Sequence, residues 1–402
     1  MASRSGGIVE ERNMYEMGKS ELRAVERVLK RRRFFRYGGE ETPAFEREWA
    51  KLIGVRHVTG VTSGTAALIT GLQAMGIGPG DSVLVPGYTF ISTALAVTAV
   101  GAIPIITEVD ETLTMCPEDM AAKIKGHTAC VIPVHMQGMP CNMRAIKRIA
   151  KAKGVKILED CCQALGGSYG KKRLGSIGDA GAFSFNQYKI LSCGEGGACA
   201  TSNRQYGERL HMAQDGSCSV WPETGKMSSA FFCGGNFRLN DLNAAILRVQ
   251  VKRLDGILGK LRRTRRMLMD GLVLPEGLRI VKTHDEAGNC GVCFLVQAES
   301  VGLAEKAEEV VRKHVGVHRP INSGRHVYSA WDVVTSRVGG HHRDWDCFKH
   351  PRNRKIKVNY RRRLKRTDDY LKRTLLCNTP YGSTAARTRT LIAKLNRALA
   401  RL

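Results

Sequence analysis

The sequence predicts an α/β protein: a large domain whose mostly parallel sheet is covered by helices on both faces, followed by a smaller α+β domain. The 402 residues exceed what one ordinary hydrophobic core accommodates, so two domains are expected. From Val55 onward, short apolar runs alternate with stretches of helical spacing, which is typical of parallel strands joined by crossover helices. A hydrophobic fraction of 43% and a charged fraction of 25% are those of a folded globular chain.

The elements of the large domain follow one another in a regular order. An initial helix is predicted over residues 21–33. Four short apolar strands alternate with four helices, and two further strands flank a glycine-rich turn. The predicted strands are 82–85, 103–108, 130–134, 155–159, 181–185 and 198–201, and the predicted helices are 65–75, 91–100, 117–125 and 143–152.

The second half of the chain begins with a long predicted helix over residues 241–267. After it, residues 278–281 and 292–296 are predicted as strands at sheet edges, and 303–314 as an amphipathic helix. This change of pattern predicts a domain boundary partway along the long helix. Residues 1–254 then form the N-terminal segment and the large domain, and residues 255–402 form the small α+β domain.

The chain carries a net charge of +26, part of it concentrated in residues 355–372. A basic surface attracts anionic ligands such as phosphates, carboxylates and nucleic acids. The alternative is a solvated helix face without a partner, and we favour it. No RNA-binding signature, zinc finger or helix-turn-helix segment is present, so a nucleic-acid partner is not expected.

The 13 cysteines are scattered and odd in number, which favours reduced, buried thiols over a disulfide framework. Cys290 and Cys293 form a Cys-x-x-Cys without a matching second pair. The longest apolar runs, such as 94–106, contain Thr, Gly and Pro and are too short to span a bilayer, so no membrane partner is expected. Residues 1–7 lack the apolar core of a signal peptide, and a cytoplasmic location is expected.

Three segments contain residues suited to holding one anionic, heterocyclic ligand. Around Gly64 and Thr65, a turn of small residues opens into a helix, whose free N–H groups suit a phosphate; the alternative is an ordinary helix cap. Asp160 ends an apolar strand, where an open α/β sheet binds its ligands, and an acid there can pair with a protonated ring nitrogen; it could also cap a helix.

The third segment places Ser184 at the end of a strand and Lys189 before a glycine-rich turn. A partly desolvated lysine amine can act as a nucleophile and then as a proton carrier. The hydroxyl of Ser184 and the amine of Lys189 could reach the two ends of one ligand. The alternative for Lys189 is an exposed surface lysine.

The order of these motifs resembles the DegT/DnrJ/EryC1/StrS family of sugar aminotransferases. The matching pieces are Ser-Gly-Thr-Ala-Ala-Leu, Glu-Asp-x-x-x-Ala, Phe-Ser-Phe-x-x-x-Lys-x-x-x-x-Gly-Glu-Gly-Gly and Gly-x-Asn-Phe-Arg-Leu-Asn-Asp-Leu, between about Tyr15 and Asp255. The resemblance implies the fold of pyridoxal-phosphate (PLP) dependent transferases of fold type I, with a mixed, mostly parallel sheet between helices. It also implies a homodimer whose active site is shared across the interface.

The resemblance assigns roles around the ring of the cofactor. Lys189 matches the lysine that binds the cofactor as a Schiff base and moves the proton, and Asp160 matches the partner of the ring nitrogen. Gln163 matches a position near the phenolic oxygen. Phe90 matches the residue that stacks on the ring, with Tyr88 as the second choice.

Other matching positions concern the phosphate. Gly64, Thr65 and Ser184 match phosphate contacts, and Asn236 matches a phosphate ligand supplied by the other subunit. Arg238 lies beside Asn236 in sequence; it either helps to bind an acid group or is a structural arginine in a salt bridge.

The resemblance implies a two-step transfer of an amino group from an amino acid, expected to be glutamate, to a keto-sugar that is nucleotide-linked or acidic. One alternative is a PLP-dependent sugar dehydratase of the same family, but those relatives have His where this chain has Lys189. Another alternative is a basic nucleic-acid-binding or regulatory protein built on this scaffold.

Two features indicate the branch of the family that acts on octulosonate-type keto-sugars. Cys193 precedes the Gly-Glu-Gly-Gly turn, where Thr is frequent, and the pair His341-His342 with Asp346 occupies a region that is near the substrate entrance in that branch. A zinc site is the alternative interpretation of this region, with His341, His342, Cys347 and His350 as the candidate ligands. Adjacent histidines do not easily bind one ion together, so no metal is expected.

Overall fold

The structure, a computed structural model, describes residues 15–222, 225–342 and 345–402; the predicted absence of a signal peptide concerns residues outside these ranges. No helix of the described ranges combines the length and the apolar character needed to cross a bilayer.

The strands are β1 (His57–Val61), β2 (Ser82–Pro86), β3 (Ile103–Thr107), β4 (Thr128–Val131), β5 (Lys156–Asp160), β6 (Ser168–Tyr169), β7 (Lys172–Arg173), β8 (Ala180–Ser184), β9 (Gly197–Thr201), β10 (Leu278–Val281), β11 (Cys293–Ala298), β12 (Val317–His318) and β13 (Thr374–Asn378). The helices are α1 (Lys19–Arg31), α2 (Glu41–Ile53), α3 (Gly64–Ala74), α4 (Ser92–Ala99), α5 (Pro117–Lys123), α6 (Met143–Lys153), α7 (Arg204–Gln214), α8 (Asp241–Gly271), α9 (Val301–Arg312), α10 (Asp332–Thr335), α11 (Lys365–Arg373) and α12 (Ala385–Leu399).

The large sheet has seven strands among the described residues, in the order β1-β9-β8-β5-β4-β2-β3. Strands β3, β2, β4, β5 and β8 run parallel, whereas β9 runs antiparallel to both of its neighbours, β8 and β1. The inner strands are apolar and buried on both faces, as expected for a parallel sheet between helices. The structure confirms the predicted α/β layer, and the carboxyl ends of the parallel strands meet at one edge.

The C-terminal part contains a four-stranded antiparallel sheet in the order β10-β11-β13-β12. The prediction that residues 292–296 form an edge strand was wrong, because β13 pairs with the free side of β11. Leu295 lies opposite Leu376 in this pairing. One face of the sheet packs into a second apolar cluster that includes Phe294 and Leu268.

Helix α8 runs without interruption past the predicted boundary at residue 255. Its first part, including Leu254 and Leu258, packs into the large apolar cluster, and Leu268 packs into the second one. The division into residues 1–254 and 255–402 stays a prediction, since a single helix belongs to both clusters.

Asp241, the first residue of α8, also fixes the start of α2. Its carboxylate accepts hydrogen bonds from the backbone N–H groups of Glu40 (2.9 Å), Glu41 (3.1 Å) and Thr42 (2.9 Å). A buried carboxylate at a helix N-terminus satisfies free N–H groups and interacts favourably with the helix dipole. This contact joins the N-terminal helices to α8.

His211 in α7 gives the fold a predicted pH dependence. Burial lowers the pKa of His211 to about 4, and the charge of Arg36 acts in the same direction. Between pH 6.5 and about 4 the unfolded chain binds a proton here that the native protein does not, so stability is lost as the pH falls. We expect this histidine to reduce the free energy of unfolding by about 1.4 kcal/mol per pH unit, about 3 kcal/mol in all.

Urea unfolding at several pH values, for the wild type and for His211→Gln, measures this difference. The glutamine variant cannot take up the proton. The unfolding free energy of the wild type minus that of the variant should therefore fall by about 3 kcal/mol as the pH falls from 6.5 to 4. Curves that stay parallel over this range would contradict the prediction.

Candidate active site

Asp160 lies at the carboxyl end of β5, with only 4% of its surface exposed. Its Oδ2 accepts a hydrogen bond from the hydroxyl of Thr93 (2.9 Å), and its Oδ1 accepts one from the backbone N–H of Cys162 (3.1 Å). The hydroxyls of Thr93 and Thr89 are in turn 2.9 Å apart. The carboxylate is therefore held in one orientation by donors on both oxygens.

Lys189 lies in the turn between β8 and β9 and is partly buried. Backbone hydrogen bonds close this turn: the N–H of Gln187 donates to the carbonyl of Gly194 (3.0 Å), and that of Lys189 to the carbonyl of Asn186 (3.0 Å). Gly194 has φ +88°, a conformation that side chains with a Cβ rarely adopt. The glycine-rich sequence thus allows the tight turn that positions the amine.

Gly64 begins α3 beside Ser184, the last residue of β8. A Cβ on Gly64 would lie 2.7 Å from the Cβ of Ser184 and 2.9 Å from the Sγ of Cys162, closer than real contacts allow. The side chain of Ser63 caps the N–H of Ala66 (3.1 Å), which leaves the first N–H groups of the helix for a ligand. This arrangement is an anion cradle formed by a helix N-terminus and a hydroxyl.

Cys162 connects these groups. Burial raises the pKa of its thiol well above the usual range; the charge of Asp160 adds to this increase and the charge of Lys189 opposes it. Both charges therefore act on one sulfur atom, which also lies beside Gly64 and Ser184. Asp160, Gly64 and Ser184 therefore lie beside Cys162, and Lys189 lies within electrostatic range of the same thiol.

Phe90 lies in the loop between β2 and α4. Its ring centroid is 5.4 Å from that of His326, at an interplanar angle of 54°. His326 is itself within reach of the charge of Lys189, which helps to lower its pKa, although burial is the larger cause. Phe90 therefore contacts a histidine that lies within electrostatic range of Lys189, whereas Tyr88, the second choice, is 1% exposed and packs in the core.

Two other predicted residues follow Gly64 and Asp160 along the chain. Thr65 follows Gly64 at the start of α3 and is partly buried. Gln163 follows Asp160 along the chain, and its Oε1 accepts a hydrogen bond from the backbone N–H of Gln137 (3.3 Å). Gln163 is therefore tied to a turn outside β5.

Asn236 and Arg238 lie in the segment before α8. Asn236 is exposed and its backbone pairs with that of Asp215. The guanidinium of Arg238 is 2.9 Å from the carboxylate of Asp215 and lies over the ring of Phe35, at 5.1 Å from its centroid. Of the two interpretations of Arg238, the geometry favours the salt-bridged structural arginine.

One group of three potential metal ligands occurs among the described residues: His135, Glu159 and Cys161, all buried. The carboxylate of Glu159 already accepts hydrogen bonds from the N–H groups of Ile177 (2.7 Å) and Gly178 (2.7 Å), and Nε2 of His135 is 3.1 Å away. Nδ1 of His135 accepts the backbone N–H of Cys141 (3.1 Å), so Nε2 carries the proton and donates to Glu159. These groups satisfy one another without an ion.

The exposure and the contacts of the histidine-rich region and of the Cys-x-x-Cys do not indicate a catalytic role. Asp346 is 1% exposed, and its carboxylate binds the N–H groups of Gly339 (3.1 Å) and Phe348 (3.0 Å), which leaves it little access to a substrate. His341 and His342 are exposed. The thiols of the Cys-x-x-Cys are buried, which raises the pKa of each to about 12 and makes them poor nucleophiles.

Comparison with known proteins agrees with the geometry. Residues 15–316 match the DegT/DnrJ/EryC1/StrS aminotransferase family. The 3-amino-5-hydroxybenzoate synthase of Amycolatopsis mediterranei (strain S699) is 36% identical over 237 residues, 59% of this chain and 61% of that protein. The dTDP-3-amino-3,4,6-trideoxy-alpha-D-glucose transaminase of Streptomyces venezuelae is 35% identical over 279 residues, 69% of this chain and 71% of that protein. The solved aminotransferase of Psychrobacter cryohalolentis has a TM-score of 0.80 and 25% identity, covering 96% of this chain and 98% of that one.

The fold and the structural neighbours are those of PLP-dependent aminotransferases, as the sequence predicted. The family match extends over most of the chain, and the chain belongs to the DegT/DnrJ/EryC1/StrS aminotransferase family. It spans 61% of the length of the first relative named above, so activity and substrates are treated below as proposals. The octulosonate branch stays a prediction.

Proposed function

We propose that this chain transfers an amino group from an amino acid, expected to be glutamate, to a keto-sugar that is nucleotide-linked or acidic, with PLP as cofactor. The observation that supports the proposal most directly is that Asp160, Gly64 and Ser184 lie beside Cys162, with Lys189 in electrostatic range of the same thiol. Relatives in the same family include a dTDP-amino-sugar transaminase and a UDP-N-acetyl-3-dehydro-alpha-D-glucosamine 3-aminotransferase.

The residues of the site fit PLP by the chemistry of their donors. The phosphate suits the N-terminus of α3 and the hydroxyl of Ser184, which lie close together because Gly64 has no Cβ. The aldehyde suits the amine of Lys189, and the ring nitrogen suits the buried carboxylate of Asp160. When bound, PLP withdraws electrons from the carbon that carries the amino group.

The protein contributes position and proton transfer. In the proposal Lys189 Nζ removes the proton from the substrate carbon that carries the amino group. It then delivers this proton to the carbon on the other side of the amino nitrogen, and such proton transfer is worth about 10²–10⁴-fold in rate. Thr93 and the N–H of Cys162 hold the carboxylate of Asp160 in place. Phe90 covers one side of the ligand, with His326 beside it.

The acceptor can be tested by loading the holoenzyme with glutamate and offering a panel of keto-sugars, some linked to a nucleotide, some acidic and some neutral. The visible absorbance of the cofactor reports each half of the reaction. Discharge by a nucleotide-linked or acidic keto-sugar supports the proposal. If the cofactor accepts the amino group from glutamate but no sugar removes it, the sugar assignment fails.

We further propose that the active form is a homodimer with a shared site. Large apolar side chains are exposed around Lys189 and in the segment before Asn236, among them Tyr188 (73%), Val220 (70%) and Phe231 (55%). Apolar surface of this kind is typical of protein interfaces. In the proposed dimer, Asn236 of each subunit completes the phosphate cradle of the other.

Subunit mixing tests this arrangement. Lys189→Ala and Asn236→Ala are each expected to be inactive alone. After mixing and exchange, each mixed dimer contains one intact site, so about a quarter of the wild-type activity should return. Sites confined to one subunit would regain no activity on mixing, and sedimentation of the wild type as a monomer would also contradict the proposal.

A cytoplasmic location is proposed on the state of the cysteines. Twelve of the 13 cysteines are free thiols, and most of these are buried in the apolar core. A reducing compartment keeps such thiols unpaired.

A further inference from the structure

The segment that contains Arg325 is fixed to the loop after β2. The backbone N–H of Ile91 donates to the carbonyl of Arg325 (3.0 Å), and that of Thr89 donates to the carbonyl of His326 (2.9 Å). The indole N–H of the buried Trp331 also donates to the carbonyl of Arg325 (2.9 Å). Since Thr89 belongs to the hydroxyl pair behind Asp160, Arg325 is held rigidly at the rim of the site.

The side chain of Arg325 is exposed and oriented by an aromatic ring. Its Cζ lies 5.6 Å from the ring centroid of Phe90, the residue expected beside the cofactor. Among the residues that the structure describes, no carboxylate pairs with this guanidinium. Arg238, the other arginine considered for an acid group, is already paired with Asp215 at 2.9 Å.

The rim around Arg325 is positively charged. Burial lowers the pKa of His326, and the charges of Lys189 and Arg325 act in the same direction, so both cations lie within electrostatic range of this imidazole. Nδ1 of His326 lies 3.3 Å from the carbonyl of Ser323 and donates its proton to it. Burial lowers the pKa of this histidine and so favours the neutral ring, in which Nε2 is an acceptor. Among the described residues no carboxylate neutralises Arg325, so this rim attracts anions.

We propose that Arg325 binds an anionic group of the substrate, a carboxylate or a phosphate, at the mouth of the active site. The inference rests on the proposed function and names the substrate class for the same site. The planar guanidinium suits both groups because it donates two parallel hydrogen bonds. The anion belongs either to the amino donor or to the keto-sugar, and these sources can be separated.

The experiment measures equilibrium binding to the holoenzyme with two probes that cannot react: glutarate, which imitates the donor's carboxylates, and uridine diphosphate, which imitates a nucleotide-linked acceptor. Calorimetric titrations compare the wild type with Arg325→Gln, Arg325→Lys and the control Arg354→Gln. Arg354 is an exposed arginine outside the site. Its glutamine variant removes one positive charge, as Arg325→Gln does, and therefore controls for net charge. The contacts that hold the segment use the backbone of residue 325 and remain in every variant.

We expect Arg325→Gln to weaken at least one probe by about 10- to 100-fold, since a hydrogen-bonded charge is lost, with Arg325→Lys intermediate and Arg354→Gln unchanged. Weakening of glutarate alone assigns the donor, weakening of uridine diphosphate alone assigns the acceptor, and weakening of both assigns a subsite that the two substrates occupy in turn. The inference is overturned if Arg325→Gln binds both probes as the wild type does, if the wild type binds neither, or if Arg354→Gln is equally impaired.

These titrations require no turnover. A wild type that binds a probe through Arg325 but transfers no amino group would disprove the proposed function and leave this inference standing. Unchanged probe affinities in a wild type that does transfer amino groups would disprove this inference alone.

Discussion

A Lys189→Ala variant is expected to lose amino transfer by at least about 10³-fold, because it lacks both the amine that holds the cofactor and the proposed proton carrier. The fold should survive, since backbone hydrogen bonds such as that from Gln187 to Gly194 close the turn without the lysine side chain. Stopped-flow absorbance with glutamate measures the first half of the reaction. Borohydride reduction of the wild type followed by peptide mass analysis should locate the cofactor on Lys189.

Two controls separate the nucleophile from the charge. Lys189→Arg keeps a cation at the site but stays protonated at all relevant pH values, so it should be as inactive as the alanine variant. Lys153→Ala removes an exposed lysine in the last turn of α6 and should behave as the wild type. Near-normal rates for either Lys189 variant, or a reduced cofactor attached to another lysine, would refute the role of this residue.

The core of the fold was predictable because its strands are continuous apolar runs, as parallel strands buried on both faces must be. The run at residues 82–85 became β2 within one residue of the prediction. What escaped prediction depends on distant partners. Strand β11 was assigned to an edge because β13, which pairs with it, comes much later in the chain. Helix α2 was missed because its N-terminus is capped by a distant residue, Asp241 of α8.

The site divides along the same line. Asp160 and Ser184 end strands of the large sheet, Gly64 begins α3 and Lys189 lies in the turn after β8, so local patterns and family motifs indicated them. Residues such as His326 had no signal of their own. The backbone N–H of Thr89, in the loop after β2, donates to the carbonyl of His326 and holds it near the site. No local sequence pattern indicates this contact between the large domain and the C-terminal part.

An Asp160→Asn variant is expected to reduce kcat by about 10²–10³-fold, the range found when one preorganised electrostatic group is removed. Asparagine has the same shape, and the hydrogen bonds can be kept. Oδ1 can still accept the N–H of Cys162, and the amide can donate to Thr93, whose hydroxyl can turn towards Thr89. What disappears is the negative charge that would hold a proton on the ring nitrogen. Steady-state kinetics with saturating PLP measures the loss.

The comparison with Thr93→Val shows whether charge or orientation matters. Valine keeps the carboxylate of Asp160 but removes the donor to its Oδ2, so a smaller loss is expected, and Thr93→Ser should restore the rate because it restores that donor. Thermal unfolding of the cofactor-free proteins should be similar for Asp160→Asn and the wild type, since no buried group is left without a partner. An asparagine variant with wild-type kcat would show that the carboxylate does not act on the cofactor. A lower melting temperature that accounts for the whole loss would assign Asp160 to the fold.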